Sequence, residues 1–332
     1  MRKLLTPGLL LLWIVASLGP AFAATPTARN GVNAARTAFT HGRADEALRA
    51  LDQALGRDGN NAAAWNLQCR IYLAQGRWED AIASCQRAVQ LDSGNSSYHL
   101  WLARAYGEKA SHSSLVSAYK TAKLAHAEFE AAVSLDGNNG EALSDLGQYY
   151  VEAPRILGGG KSKAEQIADR LSGLDAARAD ELRARIAESK KDYAGAEQAL
   201  RARIAASQAS PEATAEAWMD LGSFYRRRGR WNEMLAALKS GAAADPSHGP
   251  ALVDGASTLI KAERETALAA QWLREYLTGN ALSEKAPAFL VHAELGDLLK
   301  KQGDEEAAGR EFAAARALSA SYTEIATMNT GD

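Results

Sequence analysis

Arg36, Arg70 and Arg104 stand 34 residues apart, and Asn66 lies one helical turn before Arg70. A guanidinium recurring at one interval can hold carboxylates through two parallel N–H bonds, and it keeps its charge at any physiological pH. Such a ladder suits an acidic peptide or the C-terminal carboxylate of another chain. The same recurrence also fits arginine as a good helix former at a solvated position. Catalytic chemistry is absent from the sequence. His41, His99, His112, His126, His248 and His292 are scattered, and none has a second histidine or cysteine at metal-ligand spacing. No nucleophile stands beside a base. Carboxylates such as Asp45, Glu46, Glu79 and Asp80 gather at helix starts, where they complement the helix dipole. These residues point to a binding protein that is not an enzyme and carries no cofactor or metal.

The elements that position them form a repeat. Trp218, Leu221, Gly222, Tyr225, Leu238 and Pro246 fall at one spacing, and His292, Leu295, Gly296, Leu299, Ala308 and Phe312 repeat most of it. This spacing resembles the tetratricopeptide repeat, in which small residues let two antiparallel helices approach and large residues fill the gap between them. The resemblance implies an all-α solenoid of about eight helix-turn-helix units forming a right-handed superhelix. The repeats are expected near 28–60, 62–94, 96–138, 140–174, 177–205, 215–246, 249–280 and 288–319, as one superhelix over 26–319. Repeat five is degenerate, with Asp180 and Arg183 where large apolar residues would sit, and it is the alternative boundary. In repeats of this kind the ninth position of the first helix faces the concave groove. That position holds Arg36, Arg70, Arg104, Gln148, Arg185, Ser223, Ser257 and Asp297, and the first five are the candidates for binding. With Asn66, placed as in tetratricopeptide domains that clamp carboxylates, they are the expected partner-binding residues.

Composition agrees with this class. The 332 residues are 47% hydrophobic with only 8 prolines, which favours an extended helical core. Residues 1–23 read as a secretory signal: Arg2 and Lys3, an apolar run from Leu9 to Leu18, and Ala21-Phe22-Ala23 before a cleavage after Ala23. A membrane span needs about 20 apolar residues, so this run is too short, and a periplasmic or secreted chain is expected. Cleavage takes two of the 38 basic residues and leaves 36 against 40 acidic ones, a balance unlike that of a nucleic-acid binder. Residues 320–332 show no amphipathic period and are expected to be a flexible tail.

Cys69 and Cys85, the two cysteines, face each other across the hairpin of repeat two. An oxidising compartment would let them pair, and two buried thiols are the alternative. The run Arg155-Ile-Leu-Gly-Gly-Gly-Lys161-Ser162 imitates the end of a phosphate-binding loop but lacks its first glycine and follows a helix instead of a strand. It is either an ordinary turn or an anion contact through Lys161 and Lys163. Arg226, Arg227, Arg228 and Arg230 form a basic cluster at the turn of repeat six, either a solvated surface or a contact for an anionic envelope surface.

Trp101 to Ala110, Phe129 to Asp136 and Ala153 to Lys161 resemble an exported subgroup of bacterial tetratricopeptide proteins with an A-P-x-I-x-G-G-G-K turn. The subgroup implies no activity. It shares an insertion, here residues 107–127, in which Glu108, Lys109, His112, Tyr119 and Lys120 either serve a function or pack against repeat four. The expected role is an interaction module or scaffold whose groove receives a peptide segment during envelope assembly or secretion. A carrier for an anionic exported polymer is the alternative.

Overall fold

The structure, a computed structural model, describes residues 26–320. The expected signal sequence, residues 1–23, and nearly all of the expected tail, residues 320–332, lie outside the described residues. Within them the chain is a succession of helical hairpins: α1 (Pro26–Thr40) with α2 (Ala44–Arg57), α3 (Ala62–Ala74) with α4 (Trp78–Leu91), α5 (Ser96–Ser111) with α6 (Leu115–Leu135), and α7 (Gly140–Glu152) with α8 (Lys161–Ser172). Then follow α9 (Ala176–Ser189) with α10 (Tyr193–Ala206), α11 (Pro211–Arg227) with α12 (Trp231–Ala244), α13 (Pro250–Lys261) with α14 (Thr266–Thr278), and α15 (Ala288–Lys301) with α16 (Glu305–Leu318).

Turn chemistry sets these boundaries. Asn61, Asn139 and Asp175 cap α3, α7 and α9, each side chain accepting the N–H three residues on at 3.0 Å. Asn95 caps α5 through Ser97 at 3.1 Å. Each satisfies one of the N–H groups that a helix start leaves without a partner. The recurring Asp-x-x-Asn of the first three junctions, at Asp58 to Asn61, Asp92 to Asn95 and Asp136 to Asn139, is therefore the joint between repeats. It is a sequence signal that the anchor spacing alone does not reveal.

The core runs through the stack as two large clusters that meet on α9, where Ala184 packs with one and Ala179, Leu182 and Ile186 with the other. Repeat five is thus regular, with its apolar set one position away from that expected. Asp180 and Arg183 pair with each other at 3.0 Å outside this core.

The two ends meet. Phe289, on α15, is fully buried among Val32, Phe39, Leu67 and Ile71 of the first two repeats. The side-chain amide of Gln75 donates to Ser319 Oγ at 3.0 Å, and the Ala320 N–H donates to Asp45 at 2.9 Å. Gly42 adopts a positive φ of 72°, and a Cβ there would lie 2.5 Å from the Ala288 nitrogen. An open superhelix, with each repeat touching only its neighbours, was the expectation. The solenoid instead closes on itself, because an exposed first repeat and the aromatic Phe289 remove apolar surface from water by covering each other.

Cys69 and Cys85 are joined by a disulfide with Cα atoms 5.3 Å apart, tying α3 to α4 inside the second hairpin. In repeat three the insertion lengthens both helices, and α6 has 21 residues where α4 has 14. No helix among the described residues is long and apolar enough to cross a membrane.

Candidate functional site

Arg70 on α3 and Arg104 on α5 converge on one indole. Their guanidinium carbons lie 4.7 Å and 4.5 Å from the centre of the Trp101 ring, within cation–π range. Trp101 sits one helical turn before Arg104, so one helix presents both. The sequence reading missed Trp101, although an aromatic three residues before a ladder arginine is a visible signal.

Each arginine already faces a carboxylate of this chain. Arg104 Nε donates to Asp145 on α7 at 2.6 Å, with Glu141 at 3.8 Å from the guanidinium. Arg70 pairs with Glu284, which lies in the loop between α14 and α15 and reaches it because the ring is closed. Glu284 has no sequence signal, since only closure brings it near. Burial pulls the Arg70 pKa below its usual value, Glu284 opposes that fall, and Arg36 and Arg104 add to it.

Two donors remain unsatisfied here. Asn66 is only 7% exposed, and its Nδ2 has no hydrogen-bond partner. Arg70 Nε, one turn along the same helix, is likewise buried and unpartnered. A buried donor left unpaired costs about 1–3 kcal/mol, so a polar acceptor placed here would be strongly held.

Beside Trp101 opens a cavity of about 800 Å³ lined by Trp78, Arg104, Phe129, Gln148, Tyr149 and, from the far end of the ring, Leu290. Of the expected groove residues, Arg104 and Gln148 line it, and the Gln148 amide donates to Glu152 at 2.9 Å. Arg185 lies farther along, on a cavity of about 430 Å³ between repeats four and six, and bonds Glu181 at 3.2 Å. Arg36 is exposed at the start of the series. Of the three arginines spaced 34 residues apart, Arg70 and Arg104 are engaged with carboxylates of this chain and Arg36 is exposed.

Next to the loop that carries Glu284, acidic residues cluster on α11, α13 and α15. Desolvation by the surrounding protein, though the Asp254 side chain keeps contact with solvent, acts with the Glu216 and Glu294 charges to raise the Asp254 pKa to about 6, while Lys285 and Lys261 oppose them. Burial likewise raises the Glu294 pKa, against a 2.5 Å hydrogen bond from Ser257. Lys285 bridges Glu216 at 2.6 Å and Glu212 at 3.3 Å.

The glycine turn is packing. Gly158 has φ +91°, and a Cβ there would meet the His126 ring at 2.5 Å; a Cβ on Gly159 would lie 1.8 Å from the Ala153 oxygen. The N–H groups of Gly158, Gly159 and Gly160 bond Arg155, Pro154 and Tyr150 carbonyls. Lys161 and Lys163 donate to the Ser189 and Gly158 carbonyls at 2.7 and 3.0 Å. Of the two readings of this run, an ordinary turn or an anion contact, these internal bonds fit the turn. His126 stacks on Tyr149 with centroids 4.9 Å apart, so this turn clamps the lengthened α6 to repeat four.

The basic cluster is also partly engaged. Arg227 grips Glu188 with two bonds of 2.8 Å, and Arg230 bonds Glu197 at 2.5 Å and Glu233 at 3.0 Å. Together with Arg201 and Tyr225, which bond the same carboxylate, Arg230 holds Glu197 down at about 2 against the opposing effect of burial. Arg228 lies over Tyr193 at 4.1 Å. Arg226 is half-buried beside them.

A tetratricopeptide-repeat family profile matches residues 32–96, the first two hairpins, and the same pairing continues to Leu318. The fold is a tetratricopeptide-repeat solenoid. The chain is 27% identical over 209 residues to superkiller complex protein 3 of Mus musculus and of Homo sapiens, which covers 62% of this chain and 12% of each relative. It thus spans about an eighth of the length of these curated relatives. Among solved structures it is similar to a thermophilic tetratricopeptide protein of Thermus thermophilus, at 18% identity and TM-score 0.47, over 70% of this chain and 99% of that one. It is also similar to PilW, a type IV pilus biogenesis factor, at 15% identity and TM-score 0.49, over 66% and 94%.

Proposed function

We propose that this chain is a noncatalytic, exported scaffold that holds a segment of another protein against its inner surface. Arg70 and Asn66 anchor a carboxylate of that segment, Trp101 and the adjoining cavity take an apolar side chain, and Arg36, Arg104, Gln148 and Arg185 extend the contact. The pair of buried, unpartnered donors at Asn66 and Arg70 carries this reading, because a carboxylate or carbonyl oxygen is the group that would satisfy both. Export rests on the pattern of residues 1–23. The basic cluster at repeat six commits Arg227 and Arg230 to internal carboxylates, so peptide binding is favoured over carriage of an anionic polymer.

The test is a fluorescence-anisotropy titration with short acidic peptides ending in a free carboxylate, set against the same peptides amidated at that end. Binding that depends on the free carboxylate, and is lost in Asn66→Ala, supports the reading. Equal binding of amidated peptides, or none of either, contradicts it.

A further inference from the structure

The insertion in repeat three leaves one surface that the solenoid does not use. The inward face of α6 packs through Thr121, Ala125 and Phe129, all buried. Its outward face begins with Leu115, 90% exposed, and Val116, 73% exposed, and continues with Tyr119 and Leu124, both more than a third exposed. Large apolar side chains this open at a helix end contribute nothing to the core and cost solvation in water.

The stretch of chain that carries them has charge of one sign. No acidic residue occurs between Glu108 and Glu128, a stretch that holds Lys109, Lys120, Lys123, His112 and His126. Lys109, three residues before the turn, is paired with Glu79 at 3.1 Å, and His126, farther along α6, lies 3.2 Å from Glu130. Lys120 and Lys123 have no ion-pair partner among the described residues; Lys123 instead sits 5.6 Å from the centre of the Tyr119 ring. Apolar tip, aromatic next, and unpaired lysines one turn behind follow the order in which a segment meets acyl chains, headgroup level and phosphates.

We propose that this hairpin tip docks the solenoid on an anionic lipid surface. Leu115 and Val116 enter the boundary of the acyl region, Tyr119 lies at headgroup level, and Lys120 and Lys123 face lipid phosphates. A lipid surface suits the tip better than a protein does. A stable protein interface buries at least about 1,000 Å² of well-fitted surface, whereas a narrow convex wedge needs no complementary shape in a fluid layer. Docking of this kind is weak, reversible and salt-sensitive, and it leaves the inner surface free.

The experiment is cosedimentation of the full chain with vesicles of phosphatidylglycerol and phosphatidylcholine, against vesicles of phosphatidylcholine alone. The chain is expected to sediment with the anionic vesicles only. The double variant Leu115→Asp, Val116→Asp should abolish this, and Lys120→Ala with Lys123→Ala should weaken it about thirtyfold. Residues 1–25 are common to every variant, so differences between variants report the hairpin. Circular dichroism should be unchanged, because the altered side chains are exposed. As a second readout, a fluorophore on Leu115→Cys should shift to the blue with anionic vesicles. Equal sedimentation of the Asp variant, or no blue shift, overturns the proposal. So does a dimer in size-exclusion chromatography that the Asp variant abolishes without any vesicle binding, which would make a second copy the occupant. Binding to polyglutamate in place of vesicles would likewise overturn it.

Discussion

Arg70 and Glu284 form an ion pair across 214 residues of sequence, joining the second hairpin to the loop that leads into the eighth. The pair sits where the ends of the solenoid meet, and it places an internal carboxylate on the guanidinium that an acidic ligand would need. Closure of the ring thus sets Glu284 against Arg70, while Asn66 Nδ2 and Arg70 Nε stay unpartnered.

Closure rests on Phe289. Replacing it with alanine should remove the apolar contact with Val32, Phe39, Leu67 and Ile71 and cost about 3–5 kcal/mol in denaturant unfolding. Small-angle scattering of the folded variant should show a larger radius of gyration. An unchanged radius, with a loss under about 1 kcal/mol, would mean that the ends do not hold each other.

The bond between Cys69 and Cys85 closes a 16-residue separation, for which chain entropy gives about 3 kcal/mol of stabilisation. Reduction should lower the unfolding free energy by about that amount. Iodoacetamide should label neither cysteine in the denatured, unreduced protein; labelling of both would show free thiols.

The acidic cluster on α11, α13 and α15 predicts a pH dependence. The folded-state pKa of Asp254 lies at about 6, above its value of 3.8 in the unfolded chain. The folded state therefore holds the proton more tightly, so this residue's contribution to stability is fully present below 3.8 and is lost as pH rises through about 6. Asp254→Asn should raise the melting temperature at about pH 7.5 and leave it nearly unchanged at about pH 3, the two values lying outside the window between 3.8 and about 6. An equal rise at both pH values would separate the effect from ionisation.

Gly159 admits no side chain, because a Cβ would overlap the Ala153 carbonyl oxygen. Gly159→Ala should shift the turn away from its seat beside α6 and cost about 1–3 kcal/mol, read by chemical denaturation. Full stability in this variant would remove the clamp from the account.

The parts legible in the sequence are those whose cause is local. Trp218, Leu221, Gly222 and Tyr225 announce a hairpin because each fills one packing position at fixed spacing, and Cys69 and Cys85 could be placed opposite each other by the same register. The arginine ladder was legible as positions, since Arg36, Arg70 and Arg104 recur with the repeat. Their partners were not. Glu284 and Phe289 act only through closure, which no periodicity encodes. The glycine turn was legible as a turn, but the acceptors of its lysines, the Ser189 and Gly158 carbonyls, were not, because backbone groups carry no residue-type signal.

The central claim is that Arg70 and Asn66 form a carboxylate site that Glu284 occupies in part, at the Arg70 guanidinium, leaving Asn66 Nδ2 and Arg70 Nε unpartnered. Affinity of Glu284→Ala for an acidic peptide with a free C-terminal carboxylate, measured by fluorescence anisotropy beside the unaltered chain and Arg70→Ala, tests it most directly. The account predicts binding about tenfold tighter in Glu284→Ala, as expected when a competing charge-assisted bond is removed, and loss of binding in Arg70→Ala. Weaker or unchanged binding in Glu284→Ala, or undiminished binding in Arg70→Ala, would contradict it.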